Sequence, residues 1–150
     1  MTMPQFKALI LGHIAISLWF IPYISLKLHR LRGVRFKNIK KVFIGRSVFI
    51  DNKYPELIEI GEDVWITSNC TILSHSSTSN IQTKYGFEEK IGKVTIGDGV
   101  FIGTGTIICP SVNVGKGAYI GAGSVVTKNV SEYCVVAGNP AILVRNLTKS

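Results

Sequence analysis

The run VTIGDG-VFIGTG-TIICPS-VNVGKG-AYIGAG-SVVTKN occupies residues 94–129 and divides without remainder into hexads. Its third positions are Ile96, Ile102, Ile108, Val114, Ile120 and Val126, all aliphatic, and its fourth position is mostly Gly. A fixed short period marks a repeat architecture. Side chains alternate along a strand, so the first and third residues of each hexad share one face, while the recurrent Gly, Asn, Asp and Ser turn a corner. Three such strands close a triangular coil. One hexad cannot bury its aliphatic residue alone, so the coils must stack around a continuous column.

The pattern also runs upstream, as IEIGED, VWITSN and CTILSH from Ile58 to His75 and as VFIGRS and VFIDNK from Val42 to Lys53. On this reading Val42, Ile58, Val94, Val112 and Val130 are vertical neighbours in one stack. Ile58 and Val94 lie 36 residues apart, two coils' worth, yet Ser76 to Lys93 lacks the pattern. Residues 76–93 are therefore expected to leave the stack at one corner as an excursion loop. Only 16 residues separate Val42 from Ile58, which predicts a shortened third side around Tyr54, Pro55, Glu56 and Leu57.

These hexads, with the closing segments GAGSVVTK (121–128) and AGNPA (137–141), resemble the hexapeptide-repeat acyltransferases. Within that family they look like the maltose, galactoside and xenobiotic acetyltransferase branch and its polysaccharide O-acetyltransferase relatives. The resemblance covers residues 42–145. It implies an all-β fold, a left-handed parallel β-helix over 42–150, wound against the usual right-handed crossover preference. An N-terminal apolar and basic helical appendage over 1–41 precedes it, and a short C-terminal segment ends it. It further implies a homotrimer with the acceptor pocket between subunits.

His13 and His29 lie outside the hexads, whereas His75 fills a sixth position immediately before the loop. Acyl transfer to a hydroxyl needs a base for the hydroxyl proton, and imidazole suits this near neutral pH. The resemblance gives that role to His75, in the context Thr71 to Ser76. Asp51 and Asn52, about one coil earlier, are candidates to fix its tautomer. Asn52 is placed with His75 in the catalytic set, although both also suit an ordinary corner.

For acetyl-CoA as acyl donor, the resemblance points to Thr104, Ala122, Thr127 and Lys128 along the flank of the later coils, where small residues let a ligand approach the backbone. Small residues suit corners in any case. The family usually carries two basic residues after the Asn-Pro-Ala turn. Here Ile142 stands at the first position and Arg145 at the second, so Lys128 and Arg145 are the phosphate candidates.

Other chemistries lack their residues. No G-x-S-x-G elbow occurs, and one histidine among the hexads cannot build a zinc site. Cys70, Cys109 and Cys134 form no C-x-x-C and read as small buried residues in a reducing compartment.

The formal net charge of +8 is localised: residues 1–50 carry nine Lys or Arg and no Asp or Glu. The remaining residues are nearly balanced, which argues against a nucleic-acid-binding body. Ala8 to Leu26 is free of charged side chains and reaches spanning length, though Gly12, His13 and Pro22 interrupt it. Trp19 and Tyr23 suit a membrane interface. No cleavable leader is expected, since Ile21, Pro22, Tyr23 and Ile24 follow where small residues would lie. Residues 8–41 are thus expected to lie on the inner face of the cytoplasmic membrane. A full span and a helix packed on the end of the coils are the alternatives.

Together these readings predict transfer of an acetyl group from acetyl-CoA to a hydroxyl of a sugar or lipid-linked saccharide in surface polysaccharide biosynthesis. The alternatives are N-acetylation of an amino sugar and a non-catalytic scaffold at the membrane.

Overall fold

The computed structural model describes residues 3–18 and 21–148; Trp19 lies outside them. Two helices, α1 (Met3–Ser17) and α2 (Pro22–Leu31), precede the strands. The strands then follow as β1 (Arg35–Phe36), β2 (Val42–Ile44), β3 (Phe49–Ile50), β4 (Ile58–Ile60), β5 (Val64–Ile66) and β6 (Thr71–Ile72). After a short α3 (Asn80–Lys84) come β7 (Val94–Ile96), β8 (Phe101–Ile102), β9 (Ile107–Ile108), β10 (Asn113–Val114), β11 (Tyr119–Ile120) and β12 (Val125–Val126). The chain closes with β13 (Cys134–Gly138) and β14 (Ala141–Asn146).

Each coil gives one strand to each of three sheets, ordered β1-β4-β7-β10, β14-β13-β11-β8-β5-β2 and β12-β9-β6-β3. We call them the first, second and third sheets. All pairings are parallel except β13 with β14. The period-two reading holds: the third residues Ile44, Ile50, Ile60, Ile66, Ile72, Ile96, Ile102, Ile108, Val114, Ile120 and Val126 are all buried. Free Cys70 and Cys134 are buried with them.

Gly at the fourth position is demanded by stacking. A Cβ at Gly103 would lie 2.5 Å from the Ala122 nitrogen, and one at Gly115 equally close to that of Glu132. The corner is turned at the sixth position instead, where Ser47, Asp63, Asn69, Gly99, Gly105, Ser111, Gly117 and Gly123 have positive φ. Lys53, His75 and Asn129 depart from this rule, and each stands where the chain leaves the third sheet.

The expected register needs correction at several points. Val42 pairs with Val64 on the second sheet and is no neighbour of Ile58, which pairs with Val94. The first coil begins earlier than the hexads show, because Arg35 and Phe36 already pair with Glu59 and Ile60. The side around Tyr54 is accordingly widened: residues 51–57 bow outward through a turn of 3₁₀ helix at Pro55–Leu57. Val130 does lie on the first sheet, but it bridges Val114 and sits two residues out of the strict period. There the Asn129 side chain accepts from the Asn113 amide in place of a turn.

β4 pairs directly with β7, so residues 76–93 do leave the stack as a loop. Its base is zipped by an antiparallel bridge between His75 and Ile91 and by Ser76 N–H donating to Lys90 O at 2.8 Å.

At the end of the stack formed by β1, β2 and β3, α1 and α2 pack on each other and on the first coil. Ser25 Oγ donates to Ala15 O at 2.8 Å, and Leu26 and Val34 belong to the same apolar cluster as the coil interior. The N-terminal positive charge is partly consumed there. Arg35 pairs with Glu59, Lys37 with Glu62 and Asp98, Lys41 with Glu62 and Asp63, and Arg32 is buried. No helix among the described residues is long and apolar enough to cross a membrane.

Candidate active site

Widened corners of two successive coils meet at His75. Asp51, at the first of them, is fully buried, and its Oδ2 accepts from Ser74 N–H at 2.9 Å, from His75 N–H at 3.0 Å and from the His75 ring at 2.5 Å. Its Oδ1 accepts from Lys53 N–H at 2.8 Å. Burial raises the Asp51 pKa, but the His75 hydrogen bond and the backbone donors outweigh it and hold the carboxyl below its usual range. An ionised carboxylate accepts only, so Nδ1 carries a proton toward Asp51 and Nε2 is the ring nitrogen left free of it.

The rest of the corner fixes the ring. Tyr54 meets it edge-on at 5.7 Å between centroids, and Ser74 Oγ donates to Tyr54 O at 2.9 Å. Lys53 reaches Glu89 of the loop at 2.5 Å, tying one widened corner to the other. Beyond these ties the loop presents exposed Ile81, Tyr85 and Phe87.

Asn52 turns away from His75. Its amide oxygen accepts from Arg32 Nη1 at 3.0 Å, and a Cβ on Gly12 of α1 would collide with it. The residue that touches the ring is Asp51. Adjacency to a wide corner gave no means of choosing between the two from sequence.

The cofactor candidates fall at two corners. Thr104 and Ala122 stack between the second and third sheets, where Gly123 N–H donates to Thr104 O at 2.8 Å. Open space lies beside Gly105 and Gly123. Thr127 and Lys128 follow β12 on the edge that carries His75, two strand spacings or about 10 Å further up. They line a recess of about 340 Å³ with Ile142, Pro140 and Val130. Arg145, exposed on β14 opposite Val135, is not in that lining. Open flanks with small residues at one corner and a lysine at the next fit an extended ligand with an anionic end. No cluster of His, Cys, Asp or Glu among the described residues is suited to a metal. A recess of about 630 Å³ lies over the first sheet among Arg35, Lys37, Glu59 and Asp98, away from His75.

Stacked hexad coils thus carry a carboxylate-held histidine at the mouth of an excursion loop. A family model described as bacterial transferase hexapeptide (six repeats) matches residues 93–128. The chain is 36% identical over 126 residues to "Putative acetyltransferase YvoF" of Bacillus subtilis (strain 168), covering 83% of this chain and 69% of that protein. It is 41% identical over 120 residues to "Protein CapG" of Staphylococcus aureus, covering 79% and 69%. In fold it is similar to a galactoside acetyltransferase in complex with coenzyme A, with TM-score 0.64, 19% identity and coverage of 99% and 84%. It is also similar to a maltose O-acetyltransferase from Clostridium difficile 630, with TM-score 0.59, 22% identity and coverage of 95% and 89%. The chain belongs to the hexapeptide-repeat acetyltransferase family.

Proposed function

We propose that the protein transfers an acetyl group from acetyl-CoA to a hydroxyl of a sugar, with His75 as general base. The observation that carries this reading is the 2.5 Å contact from Asp51 to the His75 ring, which leaves Nε2 as the acceptor beside the loop. Acetyl-CoA supplies a thioester carbon open to attack. Nε2 takes the proton of the attacking hydroxyl as its oxygen bonds to that carbon, and buried Asp51 stabilises the imidazolium that results. The C–S bond then breaks, with the proton passing from Nε2 to the departing coenzyme A thiolate. Lys128, in the recess beside Ile142, is the first candidate for the nucleotide phosphates, with Arg145 the second.

A sugar acceptor is supported by the names of the maltose and galactoside acetyltransferases that share this fold. The resemblance of the hexads to polysaccharide O-acetyltransferases extends this reading to a saccharide of surface polysaccharide. The exposed Ile81, Tyr85 and Phe87 suit a loop that packs on a neighbouring copy of a homotrimer and walls the acceptor pocket. Mass spectrometry of acetyl-CoA with a panel of sugars, amino sugars and lipid-linked glycans tests the reading. An O-acetylated product that disappears in His75→Ala supports it, an N-acetylated product assigns the runner-up activity, and no product from any acceptor argues for a scaffold.

We also propose a peripheral position on the inner face of the cytoplasmic membrane. Phe6, Ile10 and Ile14 are exposed at helical spacing along α1, and Tyr23 and Ile24 are exposed on α2 with Lys27 and Arg30 beside them.

A further inference from the structure

We propose that Arg32 is a positioning residue for the Asp51–His75 pair, which makes the helices before the coils part of the catalytic apparatus. The proposal rests on the reading of His75 as base.

Just past each of β3, β6 and β9 in the third sheet, an N–H donates upward to a carbonyl of the next coil. Asp51 N–H donates to Ile72 O at 2.9 Å, Leu73 N–H to Ile108 O at 3.0 Å and Cys109 N–H to Val126 O at 2.9 Å. β3 is the lowest strand of the third sheet, so the carbonyls at its end have no coil beneath them. Arg32 supplies the missing donors. Nη2 donates to Ile50 O at 2.7 Å and Nη1 to Asp51 O at 2.6 Å. The guanidinium thus grips the backbone on both sides of the Asp51 α-carbon, and Nη1 also holds the Asn52 amide.

Closing the bottom of an apolar column does not require a cation. Burying one is costly, and an apolar residue of similar volume covers such an end as well. Yet Arg32 is only 6% exposed, and no carboxylate among the described residues lies within ion-pairing distance of it. A further buried group aims it: Nε donates to Nδ1 of His29, itself 1% exposed. The fork geometry matters because a lysine ammonium presents no planar pair of donors to two successive carbonyls. With the backbone fixed at residues 50–52, the Asp51 carboxylate points at Ser74 and His75 in one orientation.

The test uses the full chain without ligand. Proton NMR of the wild type should show a strongly deshielded His75 Nδ1–H, assigned by its loss in His75→Ala and slow to exchange with solvent. In Arg32→Lys that proton should exchange at least ~10-fold faster, while the amides of Ile102 and Ile120 keep their shifts and so report an intact stack. Arg32→Met should behave the same way, and Arg32→Lys decides alone should the Met variant not fold. An unchanged resonance and exchange rate in Arg32→Lys overturns the proposal and leaves Arg32 as an end cap. Turnover in His75→Ala judges the base reading separately, because the resonance reports orientation whether or not His75 is the base.

Discussion

Asp51 and His75 lie 24 residues apart in the chain and one coil apart in the stack, and Oδ2 of the first contacts Nδ1 of the second at 2.5 Å. The same oxygen accepts both the Ser74 and His75 amides, so the ring and the backbone that carries it are oriented by one atom. His75→Ala is expected to lower turnover by about 10² to 10⁴ with acetyl-CoA binding retained. Asp51→Asn should lower it by at least about 10², since an amide no longer stabilises the imidazolium. Steady-state kinetics with calorimetric binding of acetyl-CoA checks both, and full turnover in either variant removes that residue from the mechanism.

His29 carries a stability prediction. Burial, and then the charge of Arg32, lowers its pKa from 6.5 to about 3. The unfolded chain therefore binds a proton between those values that the folded chain does not. Stability is complete above about pH 6.5 and is lost as pH falls toward 3, on the order of 5 kcal/mol over the whole window. Asp51 adds a loss at still lower pH, since its pKa is below 3.8 and its contribution vanishes as the carboxylate protonates. Thermal melts from pH 7 to 4 should show a falling Tm that flattens in His29→Gln; an equal slope in that variant would assign the acid sensitivity elsewhere.

Lys128→Ala is expected to raise the KM for acetyl-CoA more than it lowers kcat, because a remote phosphate contact mostly supplies uniform binding. Arg145→Ala should have the smaller effect, as Arg145 does not line the recess that Lys128 shares with Ile142. Equal or reversed effects would relocate the nucleotide end.

For the membrane contact, replacing exposed Phe6, Ile10 and Ile14 by Ser should abolish sedimentation with anionic vesicles while leaving Tm nearly unchanged. Deleting residues 1–37 is a poorer test. It also removes β1, Leu26 and Val34 from the structure, and is expected to destabilise the coils. Retained vesicle binding by the triple variant excludes this stripe as the anchor.

Gly103→Val should destabilise the stack by about 1–3 kcal/mol, the usual cost of overpacking, because the added carbons press on the Ala122 backbone. Denaturant unfolding measures this, and a neutral result would show that the coils can separate locally.

The hexads made the coils, the buried column and the excursion loop legible, because one aliphatic side chain per strand is an unambiguous periodic signal. They did not reveal where the first coil starts. Arg35 and Phe36 pair with β4 without an aliphatic third residue of their own. Arg32 and His29 escaped notice for a related reason: within LHRLRGVRF they look like a solvated basic run. The signal was the spacing of Ser25, Leu26, His29 and Arg32, one buried helical face, hidden because two of its members are ionisable.

The departures from the sixth-position turn at Lys53, His75 and Asn129 share one edge of the prism. Insertions after Lys53 and His75, and a two-residue shortening at Asn129, change the chain length there while the strands still pair residue for residue, as Ile58 with Val94 and Ile120 with Val136 demonstrate. The length of the chain along this edge is therefore set independently of the column behind it. On the proposed reading, a loop of another length or composition between Ser76 and Lys93 would meet a different acceptor while the frame that holds His75 goes on folding as before.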